Sequence, residues 1–527
     1  MTFLSDDMAS RPPLRGHISP AQSTLWLIAA KTTVFALGLA VPLLLVRRLP
    51  VREFGVYKQL FLLVDTAVVI LPLGFALSAF FFFPREPERK AQVVRNILLV
   101  HMFMGAIGGV LVSVFPALPA ALLSSPDLAA YAPEIGLVML LLVGSSFVEF
   151  VAIANGEAHL AALFIGVSQV LRSGLFITAA SLFGSVRALA YAAVVHGFLQ
   201  CTLMAWYVRS RFSAARWAPE WRLVRAQLAY ALPLAYAGII WWLQGWVHHY
   251  FVSHRYDAAV YAVYAVGCFQ VPIMGVLVES VGYVAIRRAS ELRKRNETRE
   301  IVRLAAQSVR TLAAVAFPLY ALLLVTGREF ITVLFTEQYR ASWPIFAVYL
   351  TLVPLTIVFP ACDAVFRACP EHLPFLVRVR TGLVTVLLAG LWIAVRRFDL
   401  VAPAAVVVGV TLVERVLLAG KVARILGMSW SDLAAFRGVA RLGVAAAVAG
   451  LATALVRQIL VGHTPGVTAL AVLGIGAGTF AVLYAAAALA LSVLTPQEQE
   501  AIRRWLSRRR RVAPRERAPE TAPERGA

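Results

Sequence analysis

Fourteen stretches of this chain are each about 20 residues long and mostly apolar, and that recurrence constrains the fold more than any other feature. A helix needs roughly 20 such residues to cross the hydrocarbon core of a bilayer. There it satisfies its own backbone N–H and C=O groups where no water can. The stretches run over 22–46, 60–83, 93–114, 135–155, 160–183, 187–207, 228–250, 259–285, 304–326, 343–365, 375–395, 401–420, 437–458 and 466–493. The expectation is an all-α integral membrane protein.

Composition agrees with that reading. Of the 527 residues, 60% are hydrophobic and only 15% charged, where a soluble domain is about a quarter charged. Mean hydropathy is +0.77. Disorder, collagen and coiled coil are excluded by the abundance of apolar residues and the lack of such repeats. The net charge of +21 would suit a nucleic-acid binder, but most of the chain has no Arg or Lys to build a solvated basic face, so no nucleic-acid partner is expected. Cys201, Cys268, Cys362 and Cys369 lie in apolar stretches without zinc or disulfide spacing and read as small core residues.

The polar leader, 1–21, precedes an apolar run too long for a signal-peptide core, so that run is expected to stay in the chain. Connections are short, the longest being about 115–134 and 208–227, and none is large enough to fold as a domain. The tail, 495–527, is rich in Arg, Pro and Glu and is expected to be mostly disordered. With the N-terminus placed inside, the inner loops hold Arg85, Arg89, Lys90 and Arg95, then Arg209 to Arg225, then Arg287 to Arg303. The inner-to-outer bias in Lys and Arg is about three to one, which puts both termini in the cytoplasm. One loop dissents: 47–58 carries Arg47, Arg48, Arg52 and Lys58 yet falls outside. Loops this basic would meet anionic lipids.

A faint repeat divides the chain. Glu53-Phe54-Gly55-Val56-Tyr57 precedes the second segment and Asp257-Ala258-Ala259-Val260-Tyr261 the eighth. Asp127, Tyr131 and Pro133 before the fourth segment are echoed by Glu337, Tyr339 and Pro344 before the tenth. The pairs suggest two parallel six-helix halves, 22–207 and 228–420, with two further helices over 437–493. Transporters are commonly built from repeats with the site between them.

No enzyme motif is present: there is no P-loop, HExxH, GxSxG or acidic pair in a large outer loop. A membrane polymerase or glycosyltransferase is therefore the weaker reading, and no catalytic residue is named. The informative residues are charges inside apolar segments, each costing roughly 2.5–3.5 kcal/mol at mid-membrane. Lys31 shares a seven-residue spacing with Thr24 and Gly38; it either faces a cavity or snorkels to the headgroups. Gln169, Arg172 and Ser173 form a polar stripe suited to a phosphate or carboxylate ligand, or to pairing Arg172 with Glu149. Asp65 precedes Pro72-Leu73-Gly74, Glu279 follows Pro272, and Asp363 follows Pro360; such helix breaks beside carboxylates mark transport sites and nominate these residues for H⁺ or Na⁺ coupling. Asp363 also has Arg367 at i+4, which allows a structural pair instead. Arg378 and Arg380 line an inward vestibule or anchor in the inner leaflet. Glu414 and Arg415 are adjacent on a helix and expected not to pair. His248, His249, His254 and Arg255 border an outer loop, and no metal site is expected because no acidic or thiol partner has suitable spacing. No cofactor is called for. The surplus of interior cations favours an anionic substrate.

Several stretches resemble one known family. Arg48-Leu49-Pro50-Val51-Arg52-Glu53-Phe54-Gly55-Val56-Tyr57 and Leu73-Gly74-Phe75-Ala76 resemble patterns of polysaccharide-transport proteins. So do Ile331-Thr332-Val333-Leu334-Phe335-Thr336-Glu337-Gln338-Tyr339-Arg340-Ala341-Ser342, with Thr336 where glycine is more usual, and Leu426-Gly427-Met428-Ser429-Trp430-Ser431-Asp432-Leu433. The chain is thus similar to the oligosaccharide flippases of the multidrug/oligosaccharidyl-lipid/polysaccharide exporter superfamily. The resemblance implies about 14 transmembrane helices, with two six-helix lobes around a central cavity and two helices outside them. It also implies alternating access, moving undecaprenyl-diphosphate-linked oligosaccharide across the bacterial cytoplasmic membrane for O-antigen, capsule or exopolysaccharide. Polysaccharide polymerase or assembly proteins would be partners of such a flippase, itself expected to be monomeric. The lipid II flippase and the multidrug antiporter are the alternatives within the superfamily. The motifs are loop patterns, so the cavity roles of Lys31, Arg172, Gln169 and Arg378 rest on charge and position.

Overall fold

A computed structural model describes residues 37–38, 40–212, 220–463 and 468–491. These are helical throughout, with no strand among the described residues. The helices in chain order are α1 (40–48), α2 (Val51–Ile70), α3 (Ser78–Arg85), α4 (Lys90–Val114), α5 (Ala117–Leu122), α6 (Ala132–Ser145) and α7 (Val148–Ala154). Then come α8 (Ala158–Leu182), α9 (Val186–Arg211), α10 (Trp221–Arg255), α11 (Ala258–Gly267), α12 (Pro272–Lys294) and α13 (Thr298–Phe335). The last are α14 (Trp343–Tyr349), α15 (Leu352–Thr356), α16 (Phe359–Ala368), α17 (Leu373–Arg397), α18 (Ala402–Ile425), α19 (Arg437–His463) and α20 (Ala469–Ala490).

Among the described residues, 11 helical stretches are long and apolar enough to cross a membrane, and 13 if two bent pairs each count as one span. The bends are 49° between α11 and α12 and 43° before α16. Both fall where the sequence carries proline, at Pro272 and Pro360, whose missing N–H breaks the helical ladder. The first of the fourteen expected segments, 22–46, lies mostly outside the described residues, as do the leader and the tail.

The helices gather in two sets. In the first, α4 packs on α6, α6 on α9 and α8 on α9. In the second, α12 packs on α16 and α13, and α10 packs on α17 and α18. α19 and α20 pack on each other and on α13, outside the second set. An Arg457–Glu329 pair, 2.6 Å between Nη2 and Oε1, ties α19 to α13.

The sets meet where α2 crosses α11. Gly55 sits at the crossing: a Cβ there would lie 1.8 Å from the Ala258 carbonyl oxygen, so no larger residue permits this approach. Gly55 and Ala258 belong to the two repeated motifs, which therefore pack against each other. Phe54 rests edge-on against Tyr339 (5.8 Å between centroids), and Gln59 Nε2 donates to Ser253 Oγ at 2.8 Å.

The dissenting basic loop has a structural explanation. α2 begins at Val51, so Lys58 lies within a helix and not in an outer loop. Arg52 pairs with Asp127 at 3.0 Å. Arg47 donates to the Val333 and Leu334 carbonyls, each at 2.7 Å, and so caps the end of α13.

Thr336, which follows α13, adopts φ 75° and ψ 166°, a region that glycine occupies freely and a β-branched residue does not. Its buried hydroxyl has no hydrogen-bond partner. The strain costs about 1–3 kcal/mol, whereas glycine's extra unfolded-state freedom costs about 0.5–1 kcal/mol. Thr336→Gly should therefore stabilise the protein by about 1 kcal/mol. Thermal unfolding in detergent would show a raised midpoint; an unchanged or lowered midpoint would contradict the strain.

Candidate functional site

A chamber of about 730 Å³ lies between the two sets of helices. α2 supplies Lys58 and Asp65, whose seven-residue spacing is two helical turns and places both on one face. α8 adds Gln169, Arg172 and Ser173. Facing them are Trp246 and His249 of α10, Tyr261 of α11, and Cys268 to Gln270 in the break before α12. Gly38 also lines the chamber. Among the described residues, the charges lining it are thus two cations and one carboxylate. Arg172 rests against two aromatic rings, its guanidinium carbon 5.5 Å from the centroids of both Phe61 and Phe176. Such contacts orient a guanidinium without consuming its hydrogen-bond donors. Gln169 Nε2 donates to Ser173 Oγ at 3.3 Å, so the stripe read from the sequence is joined internally.

A second chamber of about 390 Å³ adjoins the first and shares Trp246, Phe269, Gln270 and Tyr349 with it. Its charged residues are Arg380 of α17 with Glu414 and Arg415 of α18. Arg380 Nε donates to Glu414 Oε1 at 2.8 Å, and Arg415 Nη1 lies 3.4 Å from Glu414 Oε2. The expectation that Glu414 and Arg415 would not pair is corrected: adjacent side chains diverge by about 100° around a helix, but both are long enough to converge in the chamber wall. Again two cations surround one carboxylate. Phe359 lies under both guanidiniums, at 5.9 Å and 4.8 Å.

The other residues nominated from the sequence are dispersed. Lys31 lies outside the described residues. Arg378 is exposed and donates to the Pro374 carbonyl of its own helix at 3.3 Å. Asp363 accepts from Arg367 Nε at 2.7 Å, one turn away on α16. Glu279 is exposed on α12 and accepts from Tyr283 at 2.9 Å. Glu149 lies on α7, away from both chambers. The structure brings Asp65, Gln169 and Arg172 together and adds Lys58, which loop counting had hidden; its seven-residue spacing from Asp65 was the available signal.

The thiol that spacing did not offer the histidines arrives through the fold. Cys268, across the α10–α11 turn, joins His248 and His249, with one ligand atom from each within 4.8 Å of the others. The three could hold a soft metal ion. In this structure His248 is already engaged, with Tyr264 Oη 2.7 Å from Nδ1 and the Gly245 carbonyl 3.1 Å from Nε2. His249 Nδ1 lies 3.4 Å from Tyr261 Oη. The hydrogen bonds of the cluster join α10 to α11 beside the chamber. All four cysteines are free thiols.

Comparison with known proteins agrees with this architecture. The family model described as "Polysaccharide biosynthesis protein" matches residues 44–344. Among solved structures, the chain is similar to the lipid II flippase MurJ in an inward closed conformation. The TM-score is 0.66 at 12% identity, covering 89% of this chain and 99% of that one. It is similar to a multidrug resistance MATE family transporter of the MOP superfamily in an inward-facing conformation (TM-score 0.54, 13% identity, 77% and 99% covered). It is also similar to a MOP superfamily transporter from Pyrococcus furiosus (TM-score 0.52, 12% identity, 78% and 96% covered). At these identities the likeness establishes the fold alone. No curated protein matches the chain significantly in sequence.

The two charged groups should respond differently to substitution. Glu414→Ala leaves two half-buried guanidiniums without their shared carboxylate and should cost about 3 kcal/mol, seen as reduced abundance and thermal stability. Asp65→Asn, in a chamber wide enough for water, should leave stability nearly unchanged. Equal losses for both would contradict this assignment of paired and chamber-facing charge.

Proposed function

The chain belongs to the polysaccharide biosynthesis protein family, and on that premise we propose that it is a flippase for undecaprenyl-diphosphate-linked oligosaccharides. It carries the headgroup from the inner to the outer leaflet of the bacterial cytoplasmic membrane by alternating access. The observation that carries the reading is the pair Lys58 and Arg172 in the chamber between the helix sets, outnumbering Asp65. A diphosphate cannot enter hydrocarbon bare, since even one charge at mid-membrane costs roughly 2.5–3.5 kcal/mol. Fixed cations in a wet chamber replace the water that the phosphates leave behind, and guanidinium supplies a fork that fits phosphate oxygens. The polyprenyl chain stays in lipid throughout.

Asp65 is the carboxylate placed to couple the cycle to H⁺ or Na⁺. It shares a helix face with Lys58, so loading an ion there changes the charge the headgroup meets. α2 also carries Gly55, the point of contact between the two sets, which links the site to the element that must move. The arginine-rich turns, with Arg89 paired to Glu220 and Arg293 to Glu371, face the cytoplasm in this reading, as do both termini. The cation surplus distinguishes this cargo from the cationic substrates of a multidrug antiporter.

A strain lacking the protein should accumulate lipid-linked repeat units on the inner leaflet and lose surface polysaccharide. Lys58→Ala and Arg172→Ala should each lower export by roughly tenfold or more, the loss expected from one charge-assisted contact, while membrane abundance is unchanged. Normal export by both variants would remove the basis of the proposal.

A further inference from the structure

The second chamber combines tryptophan faces with amides and a hydroxyl, and shares Trp246 and Gln270 with the first. Trp241 and Trp246 line it and are 58% and 43% exposed. Gln244, Gln270 and Thr411 stand beside them. Flat, half-exposed indoles flanked by amides and hydroxyls suit a sugar ring: its C–H face lies on the aromatic surface and its hydroxyls reach the polar groups. The first chamber, with Lys58 and Arg172, offers the phosphate chemistry instead. The two are contiguous, so one headgroup can occupy both.

At the wall of the second chamber the triad is not neutral. Glu414 is shared by two guanidiniums, and Arg380 takes the aligned bond at 2.8 Å. Arg415 is left as the surplus cation. Its Nη1 lies 3.4 Å from Glu414 Oε2 without hydrogen-bond alignment, and its Nε and Nη1 are both buried without a hydrogen-bond acceptor. Buried charged donors with no acceptor are unfavourable, so this guanidinium, which lines the chamber, favours an anionic partner there. A planar guanidinium receives a carboxylate through two parallel N–H bonds.

We propose that the second chamber holds the glycan and that Arg415 receives the carboxylate of an acidic sugar, so that the cargo is a uronic-acid-containing oligosaccharide. This rests on the flippase reading. Arg172 and Arg415 then anchor the two ends of one headgroup, diphosphate and acidic sugar, on opposite sets of helices. An occupied pair of chambers holds the two sets at a fixed separation, which ties the cycle to a complete cargo.

The test uses the full-length protein in lipid nanodiscs and two probes: polyprenyl diphosphate bearing a disaccharide that ends in glucuronic acid, and its twin ending in glucose. Binding is measured by native mass spectrometry. The wild type should bind the acidic probe roughly tenfold more tightly than the neutral one. Arg415→Gln should abolish that preference, bringing acidic-probe binding down to the level of the neutral probe, while Glu414 keeps Arg380 as its partner. Arg415→Lys should retain part of it. Equal binding of both probes by the wild type, or a preference that survives Arg415→Gln, overturns the acidic-sugar assignment and leaves the flippase reading standing. Binding of neither probe overturns the flippase reading itself.

Discussion

A charge inside a membrane must be paired, set against a helix end, or kept wet, and the placement of this protein's charges follows from that constraint. Arg457 and Glu329 neutralise each other and fix α19 on α13. Arg47 spends its charge on the carbonyl end of α13. Arg367 holds Asp363. Among the described residues, Lys58, Arg172 and Asp65 line one chamber and Arg380, Arg415 and Glu414 the other, a pair of cations with one carboxylate in each. Hydrocarbon permits such an imbalance only beside space that water or an anionic ligand can fill. The chambers and the charge surplus therefore require each other.

The same constraint governs how the halves meet. The alternating access proposed above needs an interface that can separate without exposing unpaired charge. The α2–α11 crossing provides one, because glycine, alanine and aromatic rings carry it. Beside the crossing, the contact of Gln59 with Ser253 of α10 is neutral on both sides and can be exchanged for water. Lys58 and Asp65 follow on the same helix, so a change at the crossing reaches the chamber through one rigid element.

The spans were legible in the sequence because hydrocarbon thickness sets a length that no other context demands. Even the two bent spans are visible as prolines inside apolar runs. Arg172 with Gln169 was legible because a polar stripe in an apolar helix has few uses. Lys58 was not, since hydropathy starts the second segment at about residue 60 whereas the helix starts at Val51. Thr336 stood out as a departure from a glycine pattern, and its backbone shows why glycine suits the position. The Arg380–Glu414–Arg415 group and the approach of Cys268 to His248 and His249 depend on packing between elements. Helical spacing carries no information about either, and for Glu414 and Arg415 it pointed the wrong way.

The role proposed for the chamber between the helix sets is to move a diphosphate-linked headgroup across the bilayer. Translocation in proteoliposomes measures this directly: a fluorescent polyprenyl-diphosphate sugar is loaded in one leaflet, and its arrival in the other is read by a membrane-impermeant quencher. Wild-type protein should accelerate that arrival well above protein-free vesicles, and a Lys58→Ala, Arg172→Ala double variant should return it to the protein-free rate. Identical rates with wild-type protein, double variant and empty vesicles would contradict the account.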